Sequence, residues 1–222
     1  MPETTSQRLS TTRLILVPAI ITLAITILRL VGELQHWPSR LFNPNPGGPG
    51  SIVGIVWLPF IFGPYFAIKL TDAGERTKGI GKGIGFAVLG FLLAFGGVII
   101  AFGPRPNFPG KIVVGLVMLV IAAWLQFSAW PSLGKVLLAY GYAARIPVAI
   151  IMFFAIRGSW GTHYDAAGPD YTGPTGLWGK WFEIGAIPQL VFWVVFTLVV
   201  GSLFGELAVA IARREKAAPQ AA

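Results

Sequence analysis

The chain of 222 residues contains no cysteine, few charged residues and only two histidines. The missing cysteines exclude disulfides, thiolate catalysis and cysteine-ligated metals. Charged residues make up 12% of the chain and hydrophobic residues 55%. An average soluble domain has about 25% charged residues. The composition therefore predicts a protein whose main partner is a lipid bilayer.

The sequence also lacks common catalytic signatures, such as G-x-S-x-G, H-E-x-x-H and the P-loop. Glycines alternate from Gly79 to Gly85, but no strand precedes them, as it would in a nucleotide-binding loop. The net charge of +8 does not indicate a nucleic-acid partner, because the basic residues lie in short segments beside apolar runs. We predict no cofactor, no bound metal and no nucleic-acid partner, and we favour a protein that is not an enzyme.

The stretch from Gly79 to Ala101 carries small residues at helical spacing. They are Gly79, Gly83, Ala87, Gly90, Ala94, Gly97 and Ala101. No charge occurs from Gly83 to Gly103, which is the length and polarity of a helix that crosses a bilayer. In lipid, a stripe of small residues lets a second helix approach closely. We therefore expect this helix to pack near the centre of a membrane bundle.

The apolar runs predict an all-α integral membrane protein, with residues 1–222 forming a single transmembrane domain of six helices. The predicted spans are residues 14–34, 51–70, 83–103, 111–130, 136–156 and 183–208. The first run follows basic residues, as in a signal peptide, but no small-residue cleavage site comes after it, so we predict a retained span. The polar and aromatic stretch at residues 157–182 is predicted to be an outer loop.

Lysines and arginines are more numerous in the two termini and in the second and fourth loops than in the remaining loops. The positive-inside rule then places both termini in the cytoplasm. We predict a multi-pass protein of a bacterial-type inner membrane.

Short matches between the two halves of the chain suggest a 3+3 inverted repeat, an arrangement common among transporters. Trp37-Pro38-Ser39 matches Trp130-Pro131-Ser132, and Thr77-x-x-x-Gly81-Lys82 matches Thr175-x-x-x-Gly179-Lys180. The alternative is chance, because short matches arise easily in a sequence of biased composition.

Three ionisable residues share one face of the first predicted helix. Arg29, Glu33 and His36 lie at positions i, i+4 and i+7. One interpretation is an intrahelical ion pair with Arg29 extending to the lipid headgroups. The other is a polar site that faces the bundle interior, since ionisable groups at membrane depth avoid lipid. All three are candidate substrate-binding residues.

Arg145 lies midway along the fifth predicted span, two residues before Pro147. Because its guanidinium stays charged, it needs polar partners or water at that depth. The candidate partners are Gln126, Gln189, Glu206 and the carbonyls freed by Pro147 or Pro59. Arg145 is either a buried structural link between helices or an anion-attracting group in a substrate pathway. With Gln126 and Gln189 it completes the set of candidate substrate-binding residues.

The outer loop contains His163, Asp165 and Asp170, which could meet at a metal ion. The ligand set is short and no standard metal motif is present. The flanking tryptophans instead favour a loop that rests on the membrane surface.

The leading functional hypothesis is a transporter or channel for a small solute or ion, with a polar site around Arg145. The alternative is a non-catalytic structural subunit or scaffold that binds other membrane subunits, since small-residue stripes and scarce polar groups suit it as well. A membrane enzyme acting in the outer loop is a third hypothesis. A water-filled cavity that reaches Arg145 would favour transport, and a dry core with a flat outer groove would favour a subunit.

Overall fold

The computed structural model describes residues 10–48, 51–75, 77, 79–103, 105–169 and 171–217, with side chains as far as residue 212. Within these ranges the chain is helical and forms no strand. The helices are α1 (Thr11–Leu34), α2 (Leu58–Asp72), α3 (Ile80–Phe102), α4 (Lys111–Ala129), α5 (Pro131–Gly158), α6 (Leu177–Lys180) and α7 (Trp193–Ala217). Between α6 and α7 the backbone is π-helical over Trp181–Ala186 and Pro188–Phe192.

Five helical segments of the described chain are long and apolar enough to cross a membrane. They are Thr11–Leu34, Ile80–Phe102, Lys111–Ala129, Pro131–Gly158 and Leu177–Ala212. The prediction of an all-helical chain with several membrane-length helices is confirmed. The count of six spans, the inverted repeat, the type of membrane and the side on which the termini lie stay predictions.

The second predicted span differs from the structure. Residues 51–57 form turns and bends, and α2 has only 15 residues. Such a helix is about 22 Å long, which is shorter than the roughly 30 Å hydrocarbon core of a bilayer. Pro59 was expected to free a backbone carbonyl, but it is the second residue of α2, where a proline removes no helical hydrogen bond. It therefore marks the start of the helix.

Two predicted loops are partly helical. Residues 131–135, which lie between the fourth and fifth predicted spans, are the first part of α5, because Pro131 takes the first helical position, which suits its fixed φ. Only Trp130, with φ −142° and ψ 88°, separates α4 from α5. The predicted outer loop ends earlier than residue 182, since α6 begins at Leu177.

The described helices form two compact units. Unit 1 is built around Pro59–Tyr140 and the described residues from Val195. Unit 2 comprises Val17–Leu58 and Gly141–Val194. The contacts and sites below each belong to one of these units.

In unit 1 the predicted stripe of small residues is the buried face of α3. Its buried residues are Gly83, Ala87, Gly90, Ala94, Gly97 and Ala101, while Gly79 precedes the helix. Gly97 faces α4, where an added Cβ would lie 2.7 Å from the carbonyl oxygen of Gly115. The expected close approach of a second helix backbone at this stripe is confirmed.

A leucine at Gly97 is expected to lower the free energy of unfolding by about 1–3 kcal/mol or more, because α3 and α4 must separate to admit it. Leu92→Ala on the same helix is the control. Leu92 is 62% exposed within the structure, so its truncation removes little packing. Unfolding of both variants in detergent gives the comparison, and equal stabilities would contradict the packing argument.

Candidate functional site

The polar site of unit 2 begins on α1, where Thr22, Thr26, Arg29 and Glu33 follow one face of the helix. Arg29 Nε donates a hydrogen bond to Glu33 Oε1 at 2.9 Å. The intrahelical ion pair of the first interpretation is therefore present. The Arg29 side chain is only 11% exposed, however, so it does not extend outward as snorkelling would require.

The loop that follows α5 holds Glu33 from a second direction. The backbone N–H of His163 donates to Glu33 Oε2 at 2.9 Å, and its Nδ1 lies 2.6 Å from Oε1 and 2.8 Å from Oε2. Burial lowers the pKa of His163 and the Arg29 charge adds to this, although the hydrogen bond to Glu33 opposes it. We infer that His163 is neutral at about pH 7 and that its Nδ1–H donates a hydrogen bond to the Glu33 carboxylate.

Asp165 fixes the turn that presents His163. Its carboxylate accepts hydrogen bonds from the backbone of Gly161 and Thr162 at 3.0 and 2.7 Å, and from the Thr162 hydroxyl at 2.8 Å. Asp170, the third suggested metal ligand, lies outside the described residues. In the part of the chain that the structure describes, no group of three or more His, Asp or Glu side chains is placed to hold a metal ion.

Tyr164 anchors the same loop in the apolar core of unit 2. It packs against Val148, Met152 and Ala155, and its hydroxyl donates to the carbonyl of Thr26 at 3.2 Å. Burial raises the pKa of the Tyr164 phenol well above its usual range, so the group stays a hydrogen-bond donor. The loop is thereby tied to α1 through both His163 and Tyr164.

Arg145 is buried on α5 and contacts the helical segment that leads into α7. Its Nη1 donates to Gln189 Oε1 at 3.2 Å, and its guanidinium carbon lies 4.7 Å from the centre of the Trp193 ring. Gln189 belongs to a π-helical stretch, a winding that is frequent at functional sites. A hydrogen bond and a cation–π contact thus orient the charge.

Arg29 and Arg145 line the same cavity of unit 2, which has a volume of about 530 Å³. Polar lining is also given by Thr26, Ser51, His163, Tyr164 and Gln189. Much of the remaining wall is apolar and includes Val148, Met152, Ile184 and Trp193. Among the described residues, no aspartate or glutamate lines the cavity.

The glycine-rich segment between α1 and α2 forms one wall of this cavity. Gly48, with φ +55°, lies directly against the Arg29 guanidinium. At Gly54 an added Cβ would lie 3.0 Å from Arg29 Nη1. Arg29 Nη2 also donates to the carbonyl of Asn43 at 3.4 Å. The chain between α1 and α2, whose last residues were predicted to begin the second span, therefore covers a charged side chain.

The structure brings together four of the six predicted site residues. Arg29, Arg145 and Gln189 line the cavity, and Glu33 holds Arg29. His36 is separate, because α1 ends at Leu34 and His36 lies exposed in a turn with φ 53°.

Gln126 belongs to unit 1 and does not line the cavity. Its amide donates to the carbonyls of Phe86 and Ala122 at 3.2 and 3.1 Å. It therefore serves the contact between α3 and α4, and its role as a substrate-binding residue stays a prediction.

The sequence patterns do not predict His163, Tyr164 or Trp193 as parts of this site. His163 lies 130 residues from Glu33, so no local spacing links the two. The sequence signal for His163 and Tyr164 is that they are adjacent polar aromatic residues in the loop that follows α5. Comparison of the chain with protein-family models, curated proteins and solved structures finds no match.

Proposed function

We propose that the protein is a transporter or channel for a small organic anion, which binds in the cavity lined by Arg29 and Arg145. The observation that carries this proposal is the charge of the lining, which contains two guanidinium groups and no acid among the described lining residues, while Glu33, outside the lining, pairs with Arg29. A guanidinium matches the geometry of a carboxylate or phosphate with two parallel hydrogen bonds. Such a lining attracts anions and opposes cations.

The dimensions and walls of the cavity support a small ligand with an apolar body. Its volume of about 530 Å³ lies within the range of small-molecule sites. Val148, Met152 and Trp193 offer apolar surface beside the two arginines. A short-chain carboxylate matches this combination, because its charged end and its hydrocarbon end each have a suitable wall.

Irregular helix beside the cavity supports transport. Pro147 lies within α5 two residues from Arg145, and Gln189 lies in a π-helical stretch. Transporter sites are commonly built where membrane helices are interrupted. Burying arginines is costly, so a purely structural subunit gains little from a cavity lined by two of them.

Ligand-dependent unfolding of the purified protein in detergent tests the proposal. We expect acetate, butyrate or hexanoate to raise the unfolding temperature, whereas the corresponding neutral amides do not. A ligand at a hundred times its dissociation constant adds about 2.7 kcal/mol of stability. The best ligand, radiolabelled, should then exchange across liposomes that contain the protein.

Three outcomes separate the hypotheses. Stabilisation by carboxylates with exchange supports an anion transporter or channel. Stabilisation without exchange would indicate a binding subunit. Equal responses to carboxylates and neutral amides would contradict the anion site itself.

A further inference from the structure

α7 places a carboxyl group in the core of unit 1. Glu206 is 1% exposed, and its Oε2 has no hydrogen-bond partner among the described residues. The carboxyl group lies against Gly83 in the first turns of α3, where an added Cβ would overlap all three of its carboxyl atoms. Gly83 therefore forms a notch that only a residue without a side chain can provide.

The residues that Gly201 and Gly205 of α7 face carry no charge. Gly205 faces Gly63 and Ala67 of α2, and Gly201 faces Leu137 of α5. In the described chain Glu33 forms an ion pair with Arg29 and contacts the His163 ring, and neither contact includes Glu206. The neighbouring helices of unit 1 do carry charged side chains, and none of these forms an ion pair with Glu206. They are Lys69 and Asp72 of α2, Lys82 of α3 and Lys135 of α5.

Lys82 is the basic residue adjacent to the notch. Its ammonium group lies 5.2 Å from the centre of the Phe86 ring, a cation–π contact that directs it along α3. It is therefore engaged elsewhere while the carboxyl group occupies the notch.

We propose that Glu206 is a proton-binding site, whose carboxyl group is protonated when it lies in the Gly83 notch. An ionised carboxylate in an apolar core without a paired charge is far less stable than the neutral acid. Release transfers the proton from the carboxyl oxygen to water, and Lys82 is the cation nearest in sequence to the notch that can pair with the remaining carboxylate. This proposal is independent of the proposed anion transport.

A metal cation is a poorer occupant than a proton. Sodium or potassium needs several oxygen ligands, and the other side-chain oxygen that is buried without a partner in described unit 1 is Gln126 Oε1. The Gln126 amide lies against Gly90, two helical turns from Gly83. Two turns correspond to about 10 Å, which is too far for one coordination sphere.

Labelling with N,N′-dicyclohexylcarbodiimide tests the proton site without a transport substrate. This apolar reagent takes the proton of a carboxylic acid onto nitrogen and bonds the carboxylate oxygen to its central carbon. We expect one adduct at Glu206 in the full-length protein in detergent, located by peptide mass spectrometry, with a yield that falls at least tenfold as the pH is raised. Glu206→Gln should remove the adduct, and Glu183→Gln, at an exposed glutamate, should not.

Other labelling results would contradict the proton site. Labelling that sodium or potassium suppresses at constant pH, with choline as the ionic-strength control, would assign the site to a metal cation. A yield independent of pH, or no adduct on folded wild-type protein, would overturn the proposal. The wild-type measurements decide these points even if Glu206→Gln fails to fold.

Discussion

Replacing Glu33 by glutamine is expected to lower the free energy of unfolding by about 3–5 kcal/mol, because the change leaves a largely buried arginine charge without its counter-ion. The carboxylate accepts hydrogen bonds from Arg29 Nε at 2.9 Å and from the His163 backbone at 2.9 Å, and it contacts the His163 ring at 2.6 Å. Glutamine has one acceptor oxygen in place of two, and its NH₂ would face groups that are themselves donors.

Chemical or thermal unfolding in detergent measures this effect. Glu183→Gln is the matched control in unit 2, since Glu183 is exposed and its hydrogen bond to the Tyr171 hydroxyl, at 3.3 Å, lies on the surface. Its substitution should change stability by no more than about 0.5 kcal/mol. Removing both charges together, with Arg29→Met and Glu33→Leu, should recover part of the loss. If Glu33→Gln is as stable as the control, the carboxylate is not the anchor of this site.

Much of the fold follows from rules that act along one helix. Apolar runs of membrane length predicted α1, α3 and α4 closely, and the spacing of small residues predicted the buried face of α3. These features depend on local hydropathy and on residue size, which the sequence displays directly.

The differences arise where proline and tertiary contacts compete with hydropathy. An apolar run around Pro59 suggested a long span, but the first seven residues of that run form turns, one of which uses Ser51 to bond the carbonyl of Leu41 at 2.5 Å. The π-helical winding before α7 has no sequence pattern of its own. It is accompanied by Pro188 and by a hydrogen bond from Trp181 Nε1 to the carbonyl of Ala149, at 2.8 Å.

The candidate site was predicted only in part for a similar reason. The cost of placing an ionisable group in lipid identified Arg29, Glu33 and Arg145 without any structure. The same rule cannot say which residues of a distant loop will meet them, and so it missed His163. Helical spacing, a separate rule, grouped His36 with Arg29 and Glu33, although α1 ends two residues before His36.

Replacing Arg145 separates an anion-binding role from a structural one. We expect Arg145→Gln to weaken the affinity for the carboxylate, obtained from the ligand-dependent stabilisation, at least tenfold. A hydrogen bond to a charged group contributes about 1.5–3 kcal/mol, and about 1.4 kcal/mol corresponds to a tenfold change in affinity. Arg145→Lys should retain part of the affinity, because it keeps the charge but loses the planar fork. Arg157→Gln is the control, as it removes an exposed arginine from the last turn of the same helix.

The stabilities of the two Arg145 variants show whether the guanidinium is needed for the fold. Gln189 and Trp193 are both uncharged, so replacing their guanidinium partner should leave neither of them as an unpaired charge. The loss of unfolding free energy that comes from these two contacts should therefore stay below the roughly 3–5 kcal/mol expected for an ion pair broken at one partner. If both variants unfold as readily as Glu33→Gln, Arg145 is a structural link between helices and the anion site must be abandoned. If both stay folded while Arg145→Gln loses ligand binding and Arg145→Lys keeps part of it, the guanidinium acts on the ligand, because its packing is then dispensable for the fold.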